Sequence, residues 1–228
     1  MTTYLITGSA RGLGLALVSH LASLPRTEVG TIFATSRQDN SPALKELVTS
    51  SSGRVVFVPL DATDQPSIKS AAQHVEQLLH GNPLGVLVNN VGVQRSTKGG
   101  VEKMEDLNET FHANVTSTHM VTQAFLPLLR KGDRKLVTNI STTVGSINLA
   151  HIYQPNSYPS YSITKAALNM LTKQYALGLA DEGFTFLAVS PGWLQTDLGG
   201  GSMADLPVAT GAQAVTEIMQ KATTAQNV

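Results

Sequence analysis

The sequence predicts an α/β fold, a single-domain, doubly wound parallel sheet with helices on both faces. Three observations lead there. Short β-rich runs alternate with longer helix-like segments from the first residues to about residue 190. The strand candidates are apolar almost throughout, as strands covered on both faces must be. A glycine-rich turn follows the first strand directly and opens a helix.

The first strand is expected near 3–7 (TYLIT), followed by the turn "TGSARGLG" and a helix near 12–24. Strands near 31–36 (TIFATS) and 54–60 (RVVFVPL) alternate with helices near 41–51 and 64–79. A fourth strand near 84–89 (LGVLVN) leads into a loop over 91–105 and a long helix near 106–130. The strand near 135–140 (KLVTNI) precedes a second long loop, 143–158, and a helix near 159–181. A sixth strand near 184–190 (FTFLAVS), a flexible "GGGSMADLP" after residue 198 and a helix near 207–222 complete the chain. In a fold of this kind, insertions such as these loops lie where ligands bind.

Composition narrows the chemistry. Sixteen basic and sixteen acidic residues cancel, with no block of like charge, so no nucleic-acid or anionic-membrane partner held by bulk electrostatics is expected. The absence of cysteine excludes disulfides, thiol catalysis and thiolate metal sites. The six histidines show no metal-ligand spacing, and no metal is expected. No basic lead precedes the first apolar stretch and no apolar run could span a bilayer, so the expected location is cytoplasmic.

A strand, a glycine-rich turn and a helix N-terminus make a diphosphate site, because backbone amides and the helix dipole favour anions. Here it comprises Thr7, Gly8, Ser9, Arg11, Gly12, Leu13 and Gly14, spaced G-x-x-x-G-x-G rather than GxGxxG. An NAD site places an acid about 20 residues after the turn, on the ribose 2′-hydroxyl. The second strand instead ends in Ser36 and Arg37, with no acid until Asp39. An arginine fork suits a 2′-phosphate, and Arg11 adds a second cation, so NADP(H) is expected over NAD(H). Farther on, "YPSYSITK" places Tyr161 and Lys165 four residues apart, about 6 Å of helical rise and one shared face. An ammonium beside a phenol favours the ionised form and assists proton transfer.

With "TGSARGLG" early, "NNVG" after the fourth strand and "YSITK" opening a late helix, the chain resembles the short-chain dehydrogenase/reductase family over nearly its whole length. Within that family it looks most like small carbonyl reductases and fungal ketoreductases. The resemblance implies a Rossmann-like fold and a ketoreductase passing hydride from NADPH to the carbonyl of a small molecule, with Tyr161 as proton donor; the residues of the expected pocket walls suit an apolar or aromatic one. It assigns Asp61, with the adjoining Ala62, to the adenine. Asn89, Asn90, Val91 and Gly92 match the cofactor-lining NNAG motif, with Val91 in place of alanine. Asn114 matches the helix asparagine that holds a water beside the catalytic lysine. Tyr161 and Lys165 match YxxxK; Tyr158 does not, because Ser162 lies four residues beyond it. Pro191 and Gly192 match the turn after the sixth strand, and Thr196 the residue at the nicotinamide carboxamide. Homodimers or homotetramers paired through the helices near 106–130 and 159–181 are the implied assemblies.

Two departures stand out. Aligned on its closing glycine, "NISTTVG" puts Thr142 at the substrate hydroxyl position, with Ser141 one residue earlier as the alternative register. Nineteen residues separate Thr142 from Tyr161, which enlarges the loop over the substrate. The family's final edge strand is expected to be either absent or not represented in these residues, since Val228 follows soon after the last helix. Tyr153, Tyr158, Trp193 and Met203 are the expected pocket walls. Thr142 and the missing strand motivate the alternative, a non-catalytic NADP(H)-binding sensor or scaffold.

Overall fold

The computed structural model describes residues 1–153 and 157–227, so Gln154, Pro155 and Asn156 of the second long loop lie outside the described residues. The apolar runs pair as parallel strands: β1 (Thr2–Ile6), β2 (Val29–Ser36), β3 (Val55–Pro59), β4 (Val86–Asn89), β5 (Leu136–Ile140) and β6 (Thr185–Val189). They form one six-stranded sheet in the order β3-β2-β1-β4-β5-β6, the expected doubly wound arrangement. Side chains alternate between its faces. Ile6, Ile32, Val88 and Leu136 face α1 (Gly12–Ser23) and α7 (Val208–Lys221), packing with Leu17, Leu21, Val215 and Met219. Leu5, Phe33, Leu87 and Val137 face the opposite layer, with Val75 of α3 (Gln65–Leu79) and Phe125 and Leu129 of α5 (Ser117–Arg130).

Local chemistry sets the helix starts. Ser41 accepts from the Leu44 amide ahead of α2 (Pro42–Ser50), and Asp64 accepts from the Ser67 amide at α3, each with a proline in the first helical positions. The long helix expected near 106–130 is α4 (Leu107–Phe111) continued through a π-turn over His112–Thr116 into α5. The helix after the second loop, α6, spans Pro159–Gly178 and gives way to a 3-10 turn over Ala180–Glu182.

A chain of buried amides crosses the sheet. Asn89 and Asn139 sit opposite each other in the β4–β5 register. Asn89 Nδ2 donates to Asn139 Oδ1 at 2.8 Å and to Thr122 Oγ1 of α5 at 2.9 Å. Asn139 Nδ2 in turn donates to Thr172 Oγ1 of α6 at 2.9 Å. Both strands are thereby tied to both helices that carry the late motifs.

Among the described residues no strand follows β6. The Asn227 side chain meets its outer edge, with Oδ1 accepting from the Phe186 amide at 2.7 Å and Nδ2 donating to the Phe184 carbonyl at 3.0 Å. Replacing Asn89 with leucine removes the central amide and strands the Asn139 oxygen in the core. Asn89→Leu is expected to cost about 1–3 kcal/mol of stability, read as a lower urea midpoint at unchanged slope; an unchanged midpoint would show the chain to be energetically neutral.

Candidate active site

The order of strands reverses between β1 and β4, and ligands of open α/β sheets lie outside the strand ends at such a point. The ends of these two strands are laced together. Thr7 Oγ1 accepts from the amides of Asn90 at 2.9 Å and Val91 at 3.2 Å. Asn90 Nδ2 donates to the carbonyls of Thr7 at 2.9 Å and Gly8 at 3.2 Å. Gly8 and Gly12 take φ of 70° and 58°, the left-handed region open to glycine. A methyl on Gly14 would fall 2.3 Å from the Gly8 carbonyl oxygen, so α1 approaches the turn as only glycine permits.

The first helical bond of α1 runs from the Leu15 amide to the Arg11 carbonyl. That leaves the amides of Gly12, Leu13 and Gly14 outside the helical ladder at a helix start carrying no acidic residue. Such a cradle fits a dinucleotide diphosphate. Ser9 has a different part: its amide donates to Thr35 O at 2.7 Å and its hydroxyl to Ile6 O at 2.9 Å, so it shapes the turn from within.

The residues expected around the adenosine end diverge. Arg37 is exposed and bears on Asp61. Burial opposes ionisation of the Asp61 carboxyl, but the hydroxyl and amide of Thr63, with Arg37 and His112 behind them, hold it below the usual carboxylate range. Ala62 is buried beside it. The Ser36 hydroxyl turns back to the Gln38 carbonyl at 2.7 Å. Arg11 departs from expectation: its guanidinium pairs with Asp197 rather than standing beside Arg37. Asp197 comes from the segment after β6, which also brings Thr196 against Gly12. A cavity of about 640 Å³ lined by Arg11, Ala43, Glu46, Thr196 and Asp197 lies behind this turn and contains neither Tyr161 nor Lys165.

Tyr161 and Lys165 occupy the first turns of α6, as their spacing predicts. Lys165 is 4% exposed, its Nζ 5.6 Å from the Tyr161 ring centroid and donating to the Ile140 carbonyl at 2.6 Å. Burial pushes the Tyr161 phenol up to about 12 and the Lys165 ammonium down to about 8. Desolvation by burial is the cause of both shifts, and it disfavours the charged form of each group.

Asn114 sits fully buried in the π-turn, where an i→i+5 step turns its side chain toward the β4 end. Its Oδ1 accepts from the Val93 amide at 2.8 Å, while Nδ2 donates to Val93 O and to Thr164 Oγ1, each at 3.0 Å. The side chain expected to hold a water is thus a clamp on the backbone beyond Gly92. Gly92 itself borders Asn114 and Lys165: a methyl there would lie 3.5 Å from Asn114 Oδ1 and 3.6 Å from Lys165 Nζ.

Where β5 ends, Ser141 and Thr142 part company. Ser141 is buried and its hydroxyl donates to Asn169 Oδ1 of α6 at 2.6 Å. Thr142 is extended and only partly buried; its Oγ1 accepts from the Val144 amide at 3.3 Å, leaving its proton without an acceptor among the described residues. Gly145 then presses on α6, where a methyl would come within 2.8 Å of the Lys165 backbone.

Of the expected pocket walls, Tyr153 donates its phenol to Thr143 Oγ1 at 2.6 Å, bringing the second loop back to the Thr142 turn. The Thr97 amide donates to the Ser157 carbonyl at 2.7 Å, so the two long loops meet. Tyr158 is 38% exposed, Trp193 is 52% exposed with its indole N–H on the Gly199 carbonyl, and Met203 is 71% exposed. Pro191 and Gly192 make the turn after β6, Gly192 at φ 88°.

A glycine-rich turn at the switch point of such a sheet, with a buried lysine and a tyrosine beside it, is the arrangement of a dinucleotide-binding fold. A family model described as short chain dehydrogenase matches residues 2–206. The chain belongs to the short-chain dehydrogenase family: it is an oxidoreductase of a class that uses NAD(P)(H) on small-molecule substrates. It is 32% identical over 208 residues to the short-chain dehydrogenase anuI of Penicillium roqueforti, covering 86% of this chain and 80% of that protein. The NADPH-bound carbonyl reductase from chicken fatty liver superposes with a TM-score of 0.91 at 32% identity, over 100% of this chain and 94% of that one. The carbonyl reductase Sniffer of D. melanogaster gives a TM-score of 0.90 at 28% identity over the same shares. Among the described residues no helix is long and apolar enough to cross a membrane, and no cluster of three or more metal-ligating side chains occurs.

Sequence reasoning did not single out Asn169, Asp197 or Asp106. Asn169 lies four residues after Lys165, a same-face spacing that was available as a signal. Asp106 accepts from Ser160 at 2.7 Å and Thr110 at 2.8 Å, joining α4 to the start of α6 from 54 residues away, and no local pattern announces that.

The Lys165 environment has a consequence for stability. Its folded pKa lies below the ordinary 10.5, so the unfolded chain binds a proton that the folded chain releases between about pH 8 and that value. The penalty of burying the ammonium is present in full below pH 8 and fades as pH rises. Relative to Lys165→Met, the native chain should gain up to about 3 kcal/mol across that window, measured by urea unfolding of both proteins at each pH; a gap constant with pH would show that Lys165 titrates normally.

Proposed function

We propose that this chain is an NADPH-dependent carbonyl reductase acting on small apolar or aromatic ketones or aldehydes. The observation that carries the reading is the Tyr161–Lys165 pair, with a phenol held protonated through neutral pH beside a buried amine. A protonated phenol is the form needed to give a proton, which is the reducing direction.

When bound, NADPH supplies the hydride that the carbonyl carbon receives. The amides of Gly12, Leu13 and Gly14 would hold its diphosphate, Arg37 its 2′-phosphate, Asp61 the adenine side, Lys165 the ribose near the reacting end and Thr196 the carboxamide. Tyr161 donates its phenolic proton to the carbonyl oxygen as charge builds there, and Lys165, in its ammonium form, stabilises the phenolate left behind. Thr142 is the hydroxyl that orients the substrate, because its proton has no acceptor among the described residues while the Ser141 proton is already held by Asn169. Tyr153, Tyr158, Trp193 and Met203 supply apolar surface around that position. Ile163, Met170 and Leu177 recur every seven residues as exposed apolar side chains of α6, which supports self-association through that helix.

Tyr161→Phe should bind NADPH normally and lose about 10²–10⁴-fold in turnover of an activated aryl ketone; near-native turnover would remove Tyr161 from its assigned part. Arg37→Asp should weaken NADPH and spare NADH, moving the ratio of the two dissociation constants by about tenfold or more, since it replaces a phosphate-pairing cation with an anion. Fluorescence titration with both cofactors reads it directly, and an unmoved ratio would make Arg37 a solvated surface residue.

A further inference from the structure

We infer that Asn169, acting through Ser141, is the residue that positions the Thr142 hydroxyl for the carbonyl, an inference resting on the carbonyl-reductase reading above. Asn169 is none of the residues assigned above to the cofactor or the substrate. Its effect is exerted through the last turn of β5.

Three ties hold that turn to α6. The Ile140 carbonyl accepts from Lys165 Nζ at 2.6 Å, the Ser141 hydroxyl donates to Asn169 Oδ1 at 2.6 Å, and Gly145 seats on the backbone at Lys165 and Ala166. Lys165 and Asn169 are one helical turn apart and share a face, so they grip consecutive residues of the strand. On the far side the Ser141 amide donates to the Val189 carbonyl at 2.8 Å, anchoring the same residue to β6. Thr142 is held only within its own turn: its carbonyl accepts from the Gly145 amide at 3.1 Å, its side chain has one hydrogen bond among the described residues, from the Val144 amide at 3.3 Å, and its backbone is extended at φ −162° and ψ 153°.

In an extended chain, neighbouring side chains point to opposite sides. Fixing the Ser141 hydroxyl on Asn169 therefore fixes the Thr142 side chain to the opposite side of the chain. The Ser141 hydroxyl is buried and needs an acceptor. Without the Asn169 oxygen it must rotate or draw its backbone toward another, and either response turns Thr142. The Lys165 tie cannot substitute, because it holds a main-chain carbonyl and leaves the Ser141 rotation free.

The test compares Asn169→Leu, Asn169→Asp, Ser141→Ala and the double variant Asn169→Leu/Ser141→Ala. Steady-state kinetics use NADPH and an activated aryl ketone, and hydrogen exchange is followed at the Val144 and Gly145 amides. Asn169→Leu should raise KM for the ketone about tenfold, the worth of one lost neutral hydrogen bond, with NADPH affinity little changed. Ser141→Ala should do the same, the double variant should be no worse than either single one, and Asn169→Asp, which keeps the acceptor oxygen, should restore most of the native KM. An unchanged KM in Asn169→Leu, multiplying losses in the double variant, or an equal fall in NADPH affinity would overturn the inference. If the native chain reduces no ketone or aldehyde, the carbonyl-reductase reading fails, and exchange alone judges Asn169. Faster exchange at Val144 and Gly145 in Asn169→Leu, with β4 unchanged, would still support it as the anchor of this turn; unchanged exchange would sink it.

Discussion

The pairing of Asn89 with Asn139 across β4 and β5 is the interaction on which the rest of this structure depends. Two primary amides in the middle of an apolar sheet are costly unless every group finds a partner. Here the partners are each other, Thr122 of α5 and Thr172 of α6. Satisfying them sets the strand register and the height of both helices at once. One step past Asn89 the chain reaches Asn90, Val91 and Gly92; two steps past Asn139 it reaches Ser141. The positions of Asn114 on one helix and Tyr161 and Lys165 on the other follow from the same amides.

The electrostatics of the pair run against simple attraction. A phenol and an amine placed together in water would each help the other ionise, but removal from water acts on both in the opposite sense and dominates. The amine is left with its balance point lowered to about 8, while the phenol keeps its proton. Lys165 is responsive because its remaining partner, the Ile140 carbonyl, is a dipole and not a charge. A carboxylate in that place would have locked it as ammonium.

Much of this was legible in the sequence, for reasons that differ from element to element. Strands buried on both faces declare themselves as apolar runs, and β1, β3, β4, β5 and β6 fall within a residue or two of where such runs place them. The turn from Thr7 to Gly14 was readable because sterics demand glycine there. The choice between Ser141 and Thr142 was not, because it depends on Asn169, 28 residues farther on, accepting one proton and not the other. The partner of Arg11 was not legible for a similar reason: a cation at the head of α1 meets whichever anion the fold delivers, and Asp197 comes from 186 residues away. Local pattern reports what a residue needs, while partners are chosen by topology.

The π-turn over His112–Thr116 has a further consequence. One surplus residue in a helix is a phase shift of about 100°. Ahead of it Thr110 is buried beside Asp106, and after it Val121, Phe125 and Leu129 face the sheet, so the helix presents two faces that an unbroken spiral could not offer together. Asn114 sits at the joint. A lineage of this chain could exchange many residues along the helix, yet deleting a single one near the joint would wind the spiral back into phase and swing either Asn114 or the core-facing row out of place. The helix is tolerant of substitution and intolerant of a change in length.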